Sequence, residues 1–498
     1  MRSGNDYVCS LRDDRAVYLD GARVDDVTAH PAFRGVINTV AALYDHAADG
    51  ANQMTYASTE TGATANKAFM IPRSREDLAE RRRAITNWAN ISRGFVGRGP
   101  DHVASFLAGF AAVPQLFNTH KYQFAANITR FYRRLLEENL YVSYVIIPPQ
   151  IDRSTTAHGW NEELLQVGVL KEQDGGYVVR GSQMLGTATA VSDYVFVSCI
   201  KPLTPDDERY ALSFVLPVST PGLKIYCRRP YAPQQPSNFD YPLSTRYDET
   251  DALIVFDDVF IPWEHTFVYR DVGQLRRQFF ETPAHLLGNT QAQIRLVVKM
   301  KFLVGVARKI AQVNGIEGIP SVQEKLGDLA SLAAFVEGMV LAAEATSAVD
   351  AYGVERPNPR FLYGAMGLQA EIYPRAVLLL RELAGGGVIQ LPSSYKDMIE
   401  DETRGDMERY LASPRLSSLE RVKLFKLAWD IVGSEFGGRH LQYEMFYAGA
   451  PFVAKNYAFR NYCYEEALAS VEEFLACYGM DKMAETASAK QHKEVGRE

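Results

Sequence analysis

The spacing of apolar residues changes its period twice along the chain, and the changes divide it into three parts. Residues 1–147 read as an N-terminal helical domain. Residues 31–48 carry apolar positions at mixed helical spacing, 73–88 have a basic flank ahead of an aromatic anchor, a third pattern follows Pro100, and 122–140 complete the set. The tract 52–67 is small and polar and predicts a loop or irregular excursion. After Pro148 the runs shorten. Segments 169–171, 177–180, 194–200, 211–218, 223–228 and 252–256 are rich in Val, Ile, Leu, Tyr and Phe, with Asp-Gly-Gly, Pro-Asp-Asp and Pro-Gly turn signals between them. They predict a β domain over residues 148–271, with the proline-rich stretch 230–240 as a loop over a cleft. From Val272 the helical period returns, through 293–314, 322–349, 371–382, 416–433 and 464–478. Residues 272–498 therefore predict a helical bundle and a basic tail that frays or lies on a partner subunit.

Composition narrows the class. With 498 residues, 47% hydrophobic and 23% charged, the chain can bury a large core and is not a disordered one. A net charge of -7 argues against a globally basic nucleic-acid clamp. The five cysteines form no CxxC pair, which argues against a disulfide framework. The charged start lacks a signal peptide's apolar run, and no later segment reads as long and uncharged enough to cross a bilayer. The expectation is a cytoplasmic protein.

Several segments carry candidate chemistry. In Gly97-Arg98-Gly99-Pro100-Asp101-His102, Pro100 suits the first helical position and Asp101 the positive helix end. Either this is a helix start with a surface arginine and an incidental histidine, or Arg98 and His102 face an anionic oxygen. Gln150, Ile151, Asp152 and Arg153 follow two stiffening prolines, as an interdomain linker or as the floor for a planar polar cofactor. Tyr144, just before, either fills core or projects into the same cleft. Residues 181–189 follow a strand, and their small residues let a ring approach the backbone while Thr187 and Thr189 offer hydroxyls; an ordinary domain edge reads the same. His285, near the start of a long helix, is either structural or a neutral acceptor for a phenolic proton. Gly433, Ser434, Glu435 and Phe436 open a glycine-rich loop that ends at Arg439, either a tight interhelical corner or a segment that holds a pyrophosphate or crosses a subunit interface. GxGxxG in a strand–helix setting, HExxH and EF-hand patterns are absent, so neither a nicotinamide domain nor a metal site is expected.

Taken in order, GRGPDH, PPQIDRS, VVRGSQMLGTATA, FDDVFIPWE and GSEFGGR resemble the 4-hydroxyphenylacetate 3-monooxygenase large-component family, from the opening MRSGNDYVCSL to YEMFYAG. The resemblance looks closer to the chlorophenol and nitrophenol branch. It implies an α+β, acyl-CoA-dehydrogenase-like fold with a central β-barrel-like domain, a homotetramer, and reduced FAD diffusing from a separate NAD(P)H-dependent reductase. Arg98 matches the arginine that faces the phenolic substrate. His102 stands where the hydroxyphenylacetate branch has a tyrosine, and Tyr144 where it has a histidine. His285 matches the phenol-activating histidine of the halophenol and nitrophenol branch. Gln150, Arg153, Thr187 and Thr189 match flavin-contacting positions, as does the Gly433–Phe436 segment.

The implied reaction is hydroxylation of a phenol-like ring with O₂ as co-substrate, through a flavin C4a-hydroperoxide, with loss of a ring substituent where one occupies the attacked carbon. An acyl-CoA dehydrogenase or oxidase would need a placed carboxylate base, for which Glu435 alone is insufficient. A noncatalytic flavin-binding scaffold would bind FAD without incorporating oxygen.

Overall fold

The computed structural model describes residues 1–152, 154–160, 162–232, 237–447, 449–479 and 483–484. Arg153, part of the 230–240 loop and nearly all of the basic tail lie outside the described residues.

The N-terminal helices form where their end signals stand. Pro31–Ala48 begins with Pro31 at a position that needs no N–H donor. Arg75–Ile91 begins at a reciprocal cap between Ser74 and Asp77. Pro100–Ala112 and Ala125–Glu138 follow. The polar tract 52–67 is not a plain loop: Thr55–Ala57 pairs with Thr64–Asn66 in a small hairpin.

The β region holds two sheets. A six-stranded sheet runs in the order Ala22–Val24, Ala16–Leu19, Leu223–Cys227, Ala252–Pro262, Gly176–Gln183, Gly168–Gln173. A four-stranded sheet runs Thr266–Tyr269, Leu212–Pro217, Tyr194–Val197, Val142–Val145. Among the described residues neither sheet closes on itself: two open sheets stand in the region where a barrel-like domain is expected. Three of these strands come from before residue 147: the pair at 16–24 and Val142–Val145. They are short and lie in sequence beside helices, so their local pattern is weak.

The C-terminal part is helical. Ala284–Val313, Pro320–Ala345 and Pro359–Ala384 pack on one another, and Ser418–Val432, Glu435–Met445 and Pro451–Arg460 pack against them. The expected 433–439 loop is in fact a break of two residues, Gly433 and Ser434. Ser434 caps the next helix by accepting the Gly437 N–H at 3.0 Å.

Pro320–Ala345 corrects one expectation. It is long and apolar enough to cross a bilayer by length and composition, yet it packs beside two bundle helices with 28% of its apolar window buried.

Ala284–Val313 passes against Pro100–Ala112 at very short range. A Cβ on Gly109 would lie 2.2 Å from the Ala284 Cα, and one on Gly288 would lie 2.2 Å from the Phe106 ring. Further along the same long helix the core is charged. Arg295 grips Glu444 through two hydrogen bonds of 2.7 and 2.8 Å, and Lys299 donates to the same carboxylate at 2.9 Å. All three side chains are buried. Burial pulls Lys299 down toward neutrality; burial also opposes ionisation of Glu444, but Arg295 and Lys299 outweigh it and hold the carboxyl down at about 2.

Glu444→Ala would leave the buried Arg295 without its counter-ion and drive Lys299 to its neutral form. The expected loss is about 3–5 kcal/mol of stability, read from the urea midpoint of the variant against the parent.

Candidate active site

Arg98 is fixed by its backbone before its side chain does anything. Its N–H donates to Glu249 Oε1 at 2.6 Å, and its carbonyl accepts the Tyr141 hydroxyl at 2.6 Å. The guanidinium then stands over three tyrosine rings, 4.5 Å from the centroid of Tyr447, 5.0 Å from Tyr144 and 5.3 Å from Tyr443. Among the described residues no carboxylate pairs with the guanidinium; its one hydrogen bond goes from Nη1 to His102 Nε2. The Tyr443 hydroxyl is buried there without a partner.

His102 lies in the first turn of Pro100–Ala112 and is fully buried. Its Nδ1 is 3.0 Å from Gln291 Oε1, and Gln291 Nε2 donates to Asp101 Oδ2 at 3.1 Å. Burial, together with the Arg98 charge, holds the imidazole well below its ordinary range. Burial also pushes the Asp101 carboxyl up to about 6. Tyr144, on the strand Val142–Val145, is tilted against His102 at 5.3 Å. Arg98, His102 and Tyr144 therefore meet in one site.

His285 lies in a second aromatic cluster. Its Nδ1 is 2.9 Å from the Tyr363 hydroxyl, and its ring packs on Phe280 and Tyr457 at 4.9 and 5.0 Å. Burial pushes the imidazole down to about 4. Among the described residues no hydrogen bond or ring contact joins His285 to the Arg98 cage. The two clusters are separated by the Phe106 layer, which packs on Gly288 and on His102.

The expected flavin segments fall around one edge of the β region. Ile147 bridges to Met184, so the segment carrying Gln150, Ile151 and Asp152 starts beside residues 184–189. Asp152 accepts two hydrogen bonds from Ser154. Arg153 lies outside the described residues. Thr187 donates to Asp251 at 2.7 Å, whereas the Thr189 hydroxyl is buried without a partner. Ile151 and Leu185 leave 61% and 52% of their surfaces exposed. Exposed apolar side chains beside an unpartnered hydroxyl suit a flat ring with polar edges, so these residues fit a flavin.

The Gly433–Phe436 segment differs along its length. Glu435 is exposed and pairs with Arg229, while Phe436 is buried between Phe95 and His440. The link from this segment to Thr187 comes through Arg439, which donates to Asp251 at 2.9 Å and to Glu249 at 3.2 Å. Asp251 also receives Arg228 at 3.0 Å.

Sequence reasoning missed Glu249, Asp251, Gln291, Tyr443 and Tyr447 as site residues. The run Asp248-Glu249-Thr250-Asp251 was a signal: four largely acidic residues in a β region predict arginine partners. The spacing of Tyr443 and Tyr447, four apart, was another.

The family described as 4-hydroxyphenylacetate 3-hydroxylase matches the chain twice, its N-terminal part over residues 3–268 and its C-terminal part over residues 275–476. The chain belongs to this family. It is thus an oxygenase component of the two-component, FAD-dependent aromatic monooxygenases. One relative is the 4-hydroxyphenylacetate 3-monooxygenase oxygenase component of Pseudomonas aeruginosa, 34% identical, with 92% of this chain and 89% of the relative covered. Another is the 4-nitrophenol 2-monooxygenase oxygenase component of a Rhodococcus species, also 34% identical, with 90% and 86% covered. Equal identity means that overall similarity does not separate the two branches. A crystal structure of a 4-hydroxyphenylacetate 3-monooxygenase oxygenase component complexed with FAD and 4-hydroxyphenylacetate superposes with a TM-score of 0.90. It is 33% identical and covers 96% of this chain and 98% of its own.

Asp101 supplies a pH test of the buried cluster behind Arg98. Because its carboxyl titrates at about 6 in the folded protein, above the unfolded value, the folded state holds a proton that the unfolded chain releases. That contribution is present in full below the unfolded pKa and is lost as pH rises to the folded one, a change of about 3 kcal/mol. Asp101→Asn removes the titration. Its denaturation midpoint, compared with the parent's, should rise across that window and stay level above it.

Proposed function

We propose that the chain hydroxylates a phenol-like ring other than 4-hydroxyphenylacetate, with Arg98 anchoring the ring oxygen. The observation that carries the reading is a guanidinium caged by three tyrosines with no carboxylate partner among the described residues. A half-buried cation so placed favours an anion small enough to enter the cage, and a phenolate is one. The choice of substrate follows from His102 and Tyr144, which exchange the tyrosine and histidine expected of the hydroxyphenylacetate branch.

Reduced FAD, delivered by a separate NAD(P)H-dependent reductase, supplies an electrophilic oxygen on reaction with O₂. Gln150, Ile151, Asp152, Arg153, Thr187, Thr189 and the Gly433–Phe436 segment are the residues that would hold it. The remaining work falls to the chain. Arg98 orients the ring oxygen, and the Tyr144, Tyr443 and Tyr447 rings exclude water around it. His285 is neutral at working pH because burial holds it near 4. With Nδ1–H donating to Tyr363, its Nε2 carries a lone pair suited to a phenolic proton. Because the Phe106 layer stands between His285 and the Arg98 cage, His285 takes that proton only if the ring oxygen lies within reach of both groups. The family resemblance alone supports this role. Removing that proton enriches the ring carbons ortho and para to the oxygen, where a halogen or nitro substituent would be expelled.

The same reading includes an acyl-CoA-dehydrogenase-like architecture divided at residues 1–147, 148–271 and 272–498, and a homotetramer. In its support, no described residue of the helix Tyr464–Ala476 is buried, although Leu468, Val471, Phe474 and Leu475 are apolar. A second copy would cover them, and the open face of Pro320–Ala345 as well. A reduced cofactor that diffuses between two proteins requires both in one compartment, which we take as the cytoplasm.

The deciding assay supplies reduced FAD from a reductase in air, with a panel of phenols and product detection by mass spectrometry. Hydroxylated product is expected; hydrogen peroxide alone from every phenol would end the reading. His285→Ala should keep its affinity for reduced FAD while product per reduced flavin falls about tenfold or more; parent coupling would remove His285 from the chemistry. Light scattering should give a mass near four chains, and Phe474→Glu should lower it.

A further inference from the structure

The hydrogen-bond chain behind Arg98 can be read without ambiguity from what each group is able to donate. Above about pH 6 the Asp101 carboxyl is ionised and only accepts, so the Gln291 amide must turn its NH₂ toward it. Gln291 Oε1 then faces His102 Nδ1 at 3.0 Å, and an oxygen there requires Nδ1 to carry the proton. Reading from the other end gives the same answer. A guanidinium only donates, so His102 Nε2, bonded to Arg98 Nη1, must present its lone pair. The Tyr447 hydroxyl stands farther from Nδ1, at 3.4 Å, and a hydroxyl fits either assignment.

We propose that Asp101 and Gln291 are positioning residues that lock His102 in its Nδ1–H tautomer and thereby set the direction in which Arg98 presents its guanidinium to the substrate. The inference rests on the reading that Arg98 anchors the ring oxygen, and it extends that reading to two side chains that never touch the ring. In the opposite tautomer an N–H would point at the N–H of Arg98, and the guanidinium would lose its only polar tether. Nothing else among the described residues replaces that tether, since Glu249 and Tyr141 hold only the Arg98 backbone. The charged groups around the relay are Arg81 and Arg295 on neighbouring helices. Arg81 is occupied by Ser105 and by the carbonyls of Ala68 and Met70, and Arg295 by Glu444. Asp101 is therefore the group with which Gln291 must agree.

Three variants of the full-length enzyme, assayed with reductase, reduced FAD and the phenol best turned over by the parent, test the relay. Gln291→Leu removes both hydrogen bonds and should raise KM for the phenol about tenfold or more, with kcat and the affinity for reduced FAD little changed. Asp101→Asn can turn either its oxygen or its NH₂ toward Gln291, so it no longer fixes the amide's direction and should raise KM for the phenol, by a smaller factor than Gln291→Leu. Gln291→Glu is the signature. While the new carboxyl holds its proton, its O–H donates to Asp101 and its C=O accepts from His102, so KM stays near the parent's. As pH rises and that proton leaves, two carboxylates face each other and KM climbs. A purely structural glutamine would give one defect at every pH. Parent KM in Gln291→Leu, or a pH-independent defect in Gln291→Glu, overturns the relay. Should Gln291→Leu fail to fold, the pH profile of Gln291→Glu decides alone. A parent enzyme that hydroxylates no phenol defeats the underlying reading instead, so the two failures are distinguishable.

Discussion

Everything at the candidate site depends on how closely two helices cross. Pro100–Ala112 carries His102 and starts two residues after Arg98; Ala284–Val313 carries His285, Gln291, Arg295 and Lys299. Gly109 and Gly288 let the two approach to a distance at which side-chain carbons would collide. Packing of this kind transmits position rigidly, because a close-packed interior has few voids into which a shift can relax. The crossing therefore sets the hydrogen-bond distances between His102 and Gln291, and between Gln291 and Asp101, and through them the placement of the arginine.

Charge organises the rest. The acidic turn from Asp248 to Asp251 gathers Arg228 and Arg439 and holds the Arg98 backbone, so one short segment joins the β region to the last bundle helices. Burial opposes ionisation of Asp251, but Arg439 and Arg228 outweigh it and draw its carboxyl far below the usual carboxylate range. Such a carboxylate stays ionised through the whole working range. Deeper in, Glu444 does the same for Arg295 and Lys299. Buried ion networks of this kind fix geometry more reliably than they add stability, because desolvation offsets most of the attraction.

Much of this was legible in the sequence, for reasons that differ by element. Pro31, Ser74 and Pro100 are terminal signals that act locally, so the first helices begin near where the pattern puts them. The strands at 16–24 and 142–145 were not legible, because their partners lie far along the chain and pairing, not local spacing, makes them strands. Gly433 to Arg439 looked like a loop because its glycines are poor helix formers. A Ser434 cap and the tertiary pull of Asp251 on Arg439 override that preference. Arg98, His102 and Tyr144 were legible as a group through motif resemblance. Their dependence on Gln291, 189 positions away from His102, was not.

Glu249 has one carboxylate and two obligations. One oxygen holds the Arg98 backbone and the other the Arg439 side chain. Removing Arg439 from this carboxylate would leave one of its oxygens to find another donor while the other still holds the Arg98 backbone. The β region, the Arg98 turn and the last bundle helices thus meet at a single side chain, and a change in its orientation would be felt at both arginines.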